Sequence, residues 1–336
     1  MYAPIPAAAT PVIFSLNIAC AERDEKDCPL AYRLPFLIRF LQKQKAELKF
    51  NVLCIQEIRP TKWYSVADII NEIAQALKLE PIVKRTNASG NKCFVRATFY
   101  DSSIWMEKQT HVEYTTNTKS PAFSHMIMTS EFIRLPSTTM DSTFSVVNVH
   151  VPAGFDEAAK QDRLKYWERV NEIVQQSYEK PAPCIAIGDF NKFTEEYVFA
   201  TLVSKCNNFD LVHQSQITFE SFPNDVDKKT GEVFKSSLDG IVMTMSHVTK
   251  SDPNFRIIPT LDTFTHIKNI VTLMNDTNAG VEVHAMLHMK DENNYYKKAF
   301  AYIRNLPEFE QPNELKFLST PMRYTDHYGI NVAMTH

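Results

Sequence analysis

Seven short runs of apolar residues constrain the fold of this 336-residue chain more than any other feature of its sequence. The runs are rich in Val, Ile and Phe, and most are bounded by Pro, Asn, Asp or Ser, which is typical of buried β-strands. We therefore predict strands at 11–18, 50–56, 92–100, 144–151, 184–188, 238–244 and 328–334.

Four segments between these runs have amphipathic patterns, which predict helices at 31–48, 65–79, 156–178 and 194–205. Strands alternate with helices at first, whereas strand patterns follow one another directly between residues 92 and 151. This order favours two packed sheets with helices outside them over one doubly wound parallel sheet. The predicted fold class is α/β (α+β), a four-layered sandwich of two packed, mostly antiparallel β-sheets flanked by helices.

Charge and composition exclude few functions. The formal net charge of −3 does not indicate the strongly basic surface of a tight, sequence-independent nucleic-acid binder, although a local groove can be basic on a neutral chain. Only 7 glycines leave little material for glycine-rich nucleotide loops.

The cysteines and the apolar runs indicate the cellular compartment of the protein. None of the 6 cysteines belongs to a CxxC pair, and Cys54 and Cys184 lie inside apolar runs, so we predict buried thiols in a reducing compartment. The sequence has no recognisable secretory signal and no apolar run near the ~18 residues of a membrane span. We expect an intracellular protein, cytoplasmic or nuclear.

Polar side chains stand at six predicted strand ends. Taken singly, each has an ordinary structural explanation, as a carboxylate in solvent, a turn residue or helix cap, or a hydrogen-bonded core histidine. Burying a carboxylate is unfavourable unless it is paired or bound to a metal, so the recurrence favours one shared site. The residues are Asn17, Gln56, Glu57, Asn148, His150, Asp189, Asn191, Asp239, Asp326 and His327.

The order of these residues resembles the endonuclease/exonuclease/phosphatase superfamily, the DNase I-like proteins. The most specific motif is Gly188-Asp189-Phe190-Asn191, followed by Thr325-Asp326-His327, where the family usually has Ser-Asp-His. The segment 209–219 also resembles the family's link to the next strand, with Thr218 and Phe219 in the usual place. The resemblance runs from Asn17 to about Met334 and so covers nearly the whole chain.

The resemblance implies a role for each motif residue. Glu57 and Asp326 would bind Mg²⁺ or Mn²⁺, with Asn17 nearby, through the hard oxygen ligands that these ions prefer. Gln56 would hold Glu57 in position without binding the metal itself. The catalytic set would be Asp189 to orient and deprotonate water, Asn191 and His327 to contact the phosphoryl group, Asp239 to orient His327, and His150 near the leaving group.

Two arginines are further candidates for contact with a substrate phosphate. They are Arg163, on the helix after His150, and Arg96. For each, the alternative is an arginine with no part in the site.

The chain departs from the family pattern between Asp239 and His327, which lie 88 residues apart, where relatives have only a few tens. We predict one domain over residues 1–336, with an insertion or accessory lobe at about 246–322. Helices at 262–274 and 291–304 and a strand at 281–288 are possible within that lobe. Leu16 stands where abasic-site endonucleases commonly have Trp, and no subfamily is assigned.

The implied activity is metal-dependent hydrolysis of a phosphoester. The first hypothesis is a nuclease that cleaves phosphodiester bonds in DNA or RNA by in-line attack of an activated water. The second is a phosphatase or phosphodiesterase acting on a phospholipid, an inositol phosphate or another small phosphoester, which the near-neutral charge favours. The third is a catalytically inactive binding or scaffold protein, against which the retention of the acidic residues argues.

Overall fold

The computed structural model describes residues 10–18, 30–60, 64–85, 95–115, 125–135, 143–176, 183–192, 196–212, 216, 218–220, 235–244, 256–258, 261–262, 322–323, 327 and 329–333. The helices in this part are α1 Leu30–Leu48, α2 Val66–Leu77, α3 Glu157–Gln176 and α4 Glu196–Lys205. The strands, in chain order, are β1 Val12–Asn17, β2 Val52–Ile58, β3 Glu80–Arg85, β4 Val95–Tyr100, β5 Trp105–Thr115, β6 His125–Arg134, β7 Thr143–His150, β8 Cys184–Asp189, β9 Asn208–Asp210, β10 Phe219–Glu220, β11 Lys235–Ser236, β12 Asp239–Thr244, β13 Arg256–Ile258, β14 Leu261–Asp262, β15 Met322–Arg323 and β16 Gly329–Ala333.

Two six-stranded sheets form the centre of the fold. Sheet A has the strand order β13-β16-β1-β2-β4-β3, and sheet B has the order β5-β6-β7-β8-β12-β9. Each sheet contains one parallel pair, β1–β2 in sheet A and β7–β8 in sheet B, and the other pairs are antiparallel. The predicted mostly antiparallel pairing is confirmed.

Three apolar cores separate four layers. Side chains such as Ile13, Cys54 and Phe144 fill the space between the two sheets. The outer face of sheet A packs on α1 and α2, and the outer face of sheet B packs on α3 and α4. One face of each sheet is covered by the other sheet and the opposite face by two helices, which confirms the predicted four-layered sandwich.

All seven predicted strands and all four predicted helices are present, with bounds that differ by a few residues. Cys54 and Cys184 are buried, as predicted. The apolar runs did not locate the other strands of the described residues, which are β3, β5, β6, β9, β10, β11, β13, β14 and β15. Within the part of the chain that the structure describes, no helix is long and apolar enough to cross a membrane.

The predicted lobe at about 246–322 is described only at its margins. Strand β13 joins the edge of sheet A beside β16, and β14 pairs with β15 so that Asp262 lies opposite Met322. Asp262 is therefore part of a strand rather than the first residue of a helix. The rest of the candidate helix at 262–274, the helix at 291–304 and the strand at 281–288 lie outside the described residues.

Candidate active site

The two parallel strand pairs bring most of the predicted polar residues to one edge of the sandwich. In sheet B, His150 at the end of β7 lies opposite Asp189 at the end of β8, and Asp189 lies opposite Asp239 at the start of β12. In sheet A, Asn17 at the end of β1 lies opposite Gln56 on β2. Parallel strands end at the same edge of a sheet, so side chains far apart in sequence meet there.

Asp189 lies at the centre of this group. Its Oδ2 accepts a hydrogen bond from Asn17 Nδ2 at 3.1 Å and another from Asn191 Nδ2 at 3.3 Å. The same oxygen lies 3.8 Å from His150 Nε2 and 3.8 Å from His327 Nε2. Residues from both sheets therefore converge on one carboxylate.

The loop after β8 fixes the direction of the Asp189 and Asn191 side chains. The backbone N–H of Asn191 donates to Asp189 Oδ1 at 2.8 Å, and Asn191 Nδ2 donates to the carbonyl of Val151 at 2.7 Å. Asn191 has a left-handed backbone (φ 46°), which asparagine tolerates better than most residues. Trp167 on α3 donates to the carbonyl of Phe190 at 2.9 Å and ties this loop to the outer layer.

His327 and Asp239 form a buried pair. Asp239 Oδ2 lies 3.0 Å from His327 Nδ1, and Oδ1 of the same carboxylate lies 3.2 Å away. This contact leaves Nε2 of the ring directed towards Asp189. Thr218 Oγ1 accepts hydrogen bonds from the backbone N–H groups of Leu238 and Asp239, which sets where β12 begins.

Glu57 occupies an irregular position on β2. The pairing of β2 with β4 shifts register between Ile55 and Ile58, and Glu57 itself has φ 59°, a left-handed conformation that is unfavourable for a side chain of its kind. The bulge directs the Glu57 carboxylate towards His150, whose Nε2 lies 3.1 Å from Oε1. Backbone strain of this kind is concentrated at functional sites.

The two carboxylates have opposite pKa shifts. Burial alone would raise the pKa of Glu57, but the hydrogen bond and charge of His150, the charge of His327 and a hydrogen bond from Asn17 lower it to about 2. Burial raises the pKa of Asp189 to about 6, and the charges of Asp239 and Glu57 add to that effect while the histidines oppose it. Glu57 is thus held ionised, whereas Asp189 is poised near neutral pH.

A buried polar group between the sheets supports the site. Gln56 Nε2 donates to Asn148 Oδ1 at 2.7 Å and to Ser15 Oγ at 3.0 Å, and Asn148 Nδ2 donates to the carbonyl of Ala97 at 3.0 Å. These contacts join β1, β2, β4 and β7 directly behind Glu57 and His150. Sequence reasoning missed Ser15, although its place two residues before Asn17 puts both side chains on one face of β1.

The two candidate arginines are buried and donate hydrogen bonds to other parts of the protein. Arg96 is 3% exposed, and its guanidinium donates to the carbonyls of Met126 and His150 and to the hydroxyl of Tyr166. Arg163 is 1% exposed and donates to the carbonyls of Pro152 and Gly154. In the structure as described, both guanidinium groups hold the protein backbone.

The residues at the site suit a divalent cation. Oxygen or nitrogen atoms of Glu57, His150 and Asp189 lie within 4.8 Å of one another, as do those of Asp189, Asp239 and His327. Two histidines contact these three carboxylates, and even with both rings protonated the group keeps a net negative charge. Buried negative charge of this kind is stabilised by a hard cation. Asp326, predicted as a metal ligand, lies outside the described residues.

Solved structures with this architecture include several that are named as endonuclease/exonuclease/phosphatase family proteins. A mannosyl-6-phosphatase of Bacteroides thetaiotaomicron matches with a TM-score of 0.59 and 15% identity, over 97% of this chain and 100% of that chain. An endonuclease/exonuclease/phosphatase family protein of the same organism matches with a TM-score of 0.57 and 14% identity, over 97% of each chain. TDP2 of D. rerio, complexed with a single strand DNA product, matches with a TM-score of 0.55 and 13% identity, over 98% of this chain and 100% of that chain.

The chain therefore has the fold of the endonuclease/exonuclease/phosphatase family, which confirms the resemblance seen in its motifs. No protein-family model matches the sequence, and no curated protein matches it by sequence. The likeness to these solved structures thus lies in the fold.

Proposed function

We propose that this protein is a divalent-metal-dependent phosphoesterase, and that its substrate is a phosphodiester bond in nucleic acid. The observation that carries the proposal is the convergence on Asp189 of Asn17, Asn191, His150 and His327 from separate elements. One residue of this kind at a strand end has a structural explanation, but a buried carboxylate surrounded by amide and imidazole donors suits the handling of water and phosphate.

Glu57 is the described residue best suited to hold the metal. Its carboxylate is ionised, because its pKa is lowered to about 2. The Glu57 side chain is 17% exposed, so a cation can reach it from solvent. Asn17 contacts it, and Asp326 is the further ligand that we propose from the sequence motif. When bound, the cation would supply Lewis-acid charge at the phosphoryl group.

Asp189 is the proposed general base. A group that accepts a proton from water works best with a pKa near the working pH, and burial raises the pKa of Asp189 to about 6. Asn17 and Asn191 fix its carboxylate in place. We assign it the orientation of the attacking water and the removal of its proton.

His327, Asn191 and His150 are the proposed phosphate contacts. Asp239 holds the Nδ1 side of the His327 ring, so Nε2 faces the reacting group and, in the imidazolium form, donates a hydrogen bond to it. His150, with its Nε2 between Glu57 and Asp189, would donate to the leaving oxygen. These donors neutralise charge that grows as the phosphorus–oxygen bond breaks.

A second candidate function is hydrolysis of a phosphate monoester on a small molecule. It is favoured by the match to the mannosyl-6-phosphatase, whose TM-score of 0.59 is higher than the 0.55 of the DNA-bound TDP2 structure. The chemistry assigned to Asp189 and His327 serves either substrate, so the substrate itself must be tested.

The test is a substrate panel with the full chain in Mg²⁺, Mn²⁺ or EDTA. Labelled single- and double-stranded DNA and RNA are compared with small phosphoesters that include mannose 6-phosphate. We expect metal-dependent cleavage of nucleic acid that Asp189→Asn abolishes and that Asp68→Asn, an exposed carboxylate at the start of α2, leaves unchanged. Release of phosphate from small esters alone would establish the second candidate, and hydrolysis of nothing would overturn both.

A further inference from the structure

The backbone groups of the loop after β8 are each held by a hydrogen bond. The carbonyl of Asp189 accepts from the N–H of Val151 at 2.9 Å, and the N–H of Phe190 donates to the carbonyl of Leu238 at 3.0 Å. Both bonds join backbone to backbone and continue the pairing of β8 with its two neighbours. The next carbonyl, that of Phe190, instead accepts from a side chain, because Trp167 Nε1 on α3 lies 2.9 Å away.

One peptide group connects Trp167 to the proposed general base. The carbonyl of Phe190 and the N–H of Asn191 belong to the same planar unit, in which the two bonds point in opposite directions. Trp167 Nε1 donates to the oxygen end at 2.9 Å, and Asp189 Oδ1 accepts from the N–H end at 2.8 Å. Because the unit is rigid, a rotation at one end is a rotation at the other. The indole N–H therefore keeps the Asn191 N–H directed at Asp189.

The two oxygens of the Asp189 carboxylate have different surroundings. Oδ1 accepts the N–H of Asn191, whereas Oδ2 accepts Asn17 Nδ2 at 3.1 Å. Oδ2 also lies 3.8 Å from Nε2 of His150 and 3.8 Å from Nε2 of His327. Since a carboxylate is planar, the bond that fixes Oδ1 also fixes the direction of Oδ2. The oxygen that faces the site is thus oriented through the oxygen that contacts the loop.

The peptide group would not keep this orientation without the indole N–H. Trp167 is 1% exposed and Phe190 is fully buried, so solvent does not replace the bond between them. A buried carbonyl that loses its donor is unfavourable. Asn191 has φ 46°, a backbone conformation that is less favourable for an L-residue than the right-handed one. Both effects favour a rotated peptide once the donor is removed.

The indole itself is held firmly by its neighbours. Its ring meets that of Phe199 on α4 edge-to-face, with 5.2 Å between centroids, and Phe199 in turn packs on Phe190 at 5.1 Å. One turn further along α3, Asn171 Nδ2 donates to the carbonyl of Trp167 at 2.9 Å. Asn208 Nδ2 on β9 donates to Asn171 Oδ1 at 2.9 Å. A donor supported by packing and by hydrogen bonds in this way has a fixed direction.

We propose that Trp167 is a positioning residue that orients the Asp189 carboxylate through the peptide group that follows Phe190. This inference rests on the proposed hydrolytic function and adds to it a residue that touches neither metal nor substrate. A reacting group must be held within about 0.5 Å of its productive place, so a rotated peptide should slow the chemical step. Substrate binding should stay as it is, because the buried indole does not contact the substrate.

The experiment removes the indole N–H and measures both rate and local geometry. One variant is Trp167→Phe, and the second carries 3-benzothienylalanine at position 167, in which sulfur replaces the N–H and the shape of the ring is kept. Rates are measured on the substrate that the wild-type chain hydrolyses fastest in the panel. We expect both variants to lower kcat about tenfold or more and to leave KM within about twofold. Hydrogen exchange of the Asn191 amide, followed by NMR, should become about tenfold faster because its acceptor is lost.

Trp105 is the matched control. It is also 1% exposed, but its Nε1 has no hydrogen-bond partner among the described residues. It lies opposite Arg134, at the end of sheet B where β7 begins, whereas His150 is at the other end of β7. The same two changes at position 105 remove the same atoms from an equally buried ring. They should leave kcat and the exchange of the Asn191 amide unchanged.

Equal losses of kcat at positions 167 and 105 would show that Trp167 acts through packing alone, which would overturn the proposal. An unchanged kcat, or an Asn191 amide that keeps its protection, in the 3-benzothienylalanine variant would overturn it as well. A wild-type chain that hydrolyses no phosphoester would refute the proposed function. The exchange rate of Asn191 would then decide by itself whether Trp167 holds the peptide group.

Discussion

Glu57 and Asp189 are carboxylates of one cluster whose surroundings give them different protonation behaviour. The histidines and Asn17 hold Glu57 ionised, while burial and the neighbouring carboxylates push Asp189 towards the neutral form. Two acids that are shifted in opposite directions divide the work between them, one as a permanent anion and one as a proton acceptor. This division is the residue-level basis of the proposed chemistry.

The Asp239–His327 pair should act as a unit. Asp239→Asn removes the anion that orients the ring, so we expect it to lower kcat/KM about 100-fold, as His327→Gln should. The double variant should be little worse than the more damaged single variant, because each change disables the same device. Single and double variants are compared by initial rates on one substrate. Effects that multiply would show that the two residues act separately.

Sequence patterns predicted which residues stand at the strand ends, because a polar residue that follows an apolar run can be recognised from the linear sequence alone. They could not show where a long side chain points. Arg96 and Arg163 were candidates for contact with a phosphate, with an arginine outside the site as the alternative, and in the structure their guanidinium groups donate to backbone carbonyls. The resemblance supplied the pairing of Asp239 with His327, which spacing alone would not have revealed.

Strands β7 and β8 are the elements that position the site, and they approach closely at Gly188. Gly188 has φ 139°, and a Cβ there would lie 2.2 Å from the carbonyl oxygen of Val149. Both the backbone conformation and the contact therefore exclude a side chain at this position. The tight pairing carries His150 and Asp189 to adjacent positions.

Gly188→Ala should consequently destabilise the protein by about 3 kcal/mol or more, since the backbone of β7 must move. Unfolding in urea measures this. Gly240→Ala is the comparison, because a Cβ there meets the ring of Phe190, a side chain that can shift, so the loss should be smaller. Equal losses would contradict the argument from the β7–β8 contact.

Some elements have no clear signal in the sequence, for physical reasons. Strand β5 lies at the edge of sheet B, and its residues are mostly half-buried or exposed, so it lacks an apolar run. Strand β3 is another edge strand and contains Pro81, which ordinarily argues against a strand. Central strands such as β8 are buried along their whole length and are therefore the ones that composition predicts.

At the scale of the whole molecule, His125 links stability to pH. Burial lowers its pKa to about 4, with further lowering by the charges of Arg96 and His150 and partial compensation by Asp162. Between the ordinary pKa of about 6.5 and 4, the unfolded chain binds a proton that the folded protein does not. This contribution to stability is complete above pH 6.5 and is lost as the pH falls towards 4.

His125→Gln should therefore flatten the fall in the free energy of unfolding between pH 6.5 and 4 by up to about 3 kcal/mol. Urea unfolding at several pH values measures the effect. His111→Gln, an exposed histidine on β5, is the matched control and should leave the curve as it is. An unchanged slope in His125→Gln would contradict the prediction.

The pairing of β14 with β15 bears on the predicted lobe. Asp262 lies opposite Met322, so the two ends of residues 263–321 stand side by side. We infer that an Asn-Gly turn, which closes two-residue hairpins, can replace the whole segment without disturbing the sandwich. The shortened chain should unfold in one cooperative transition and keep the hydrolytic activity that the parent chain shows in the substrate panel. Aggregation, or loss of cooperative unfolding, would show that the segment belongs to the core fold.

The site draws Asn17 and Glu57 from one sheet and His150, Asp189 and Asp239 from the other. Neither half of the protein contains a complete set, and His327 is made far later in synthesis than Asn17. On the proposed mechanism, a chain still on the ribosome therefore lacks a complete site until the residues around His327 have emerged and the two sheets have packed together. A prematurely terminated product would accordingly lack the proposed hydrolytic activity.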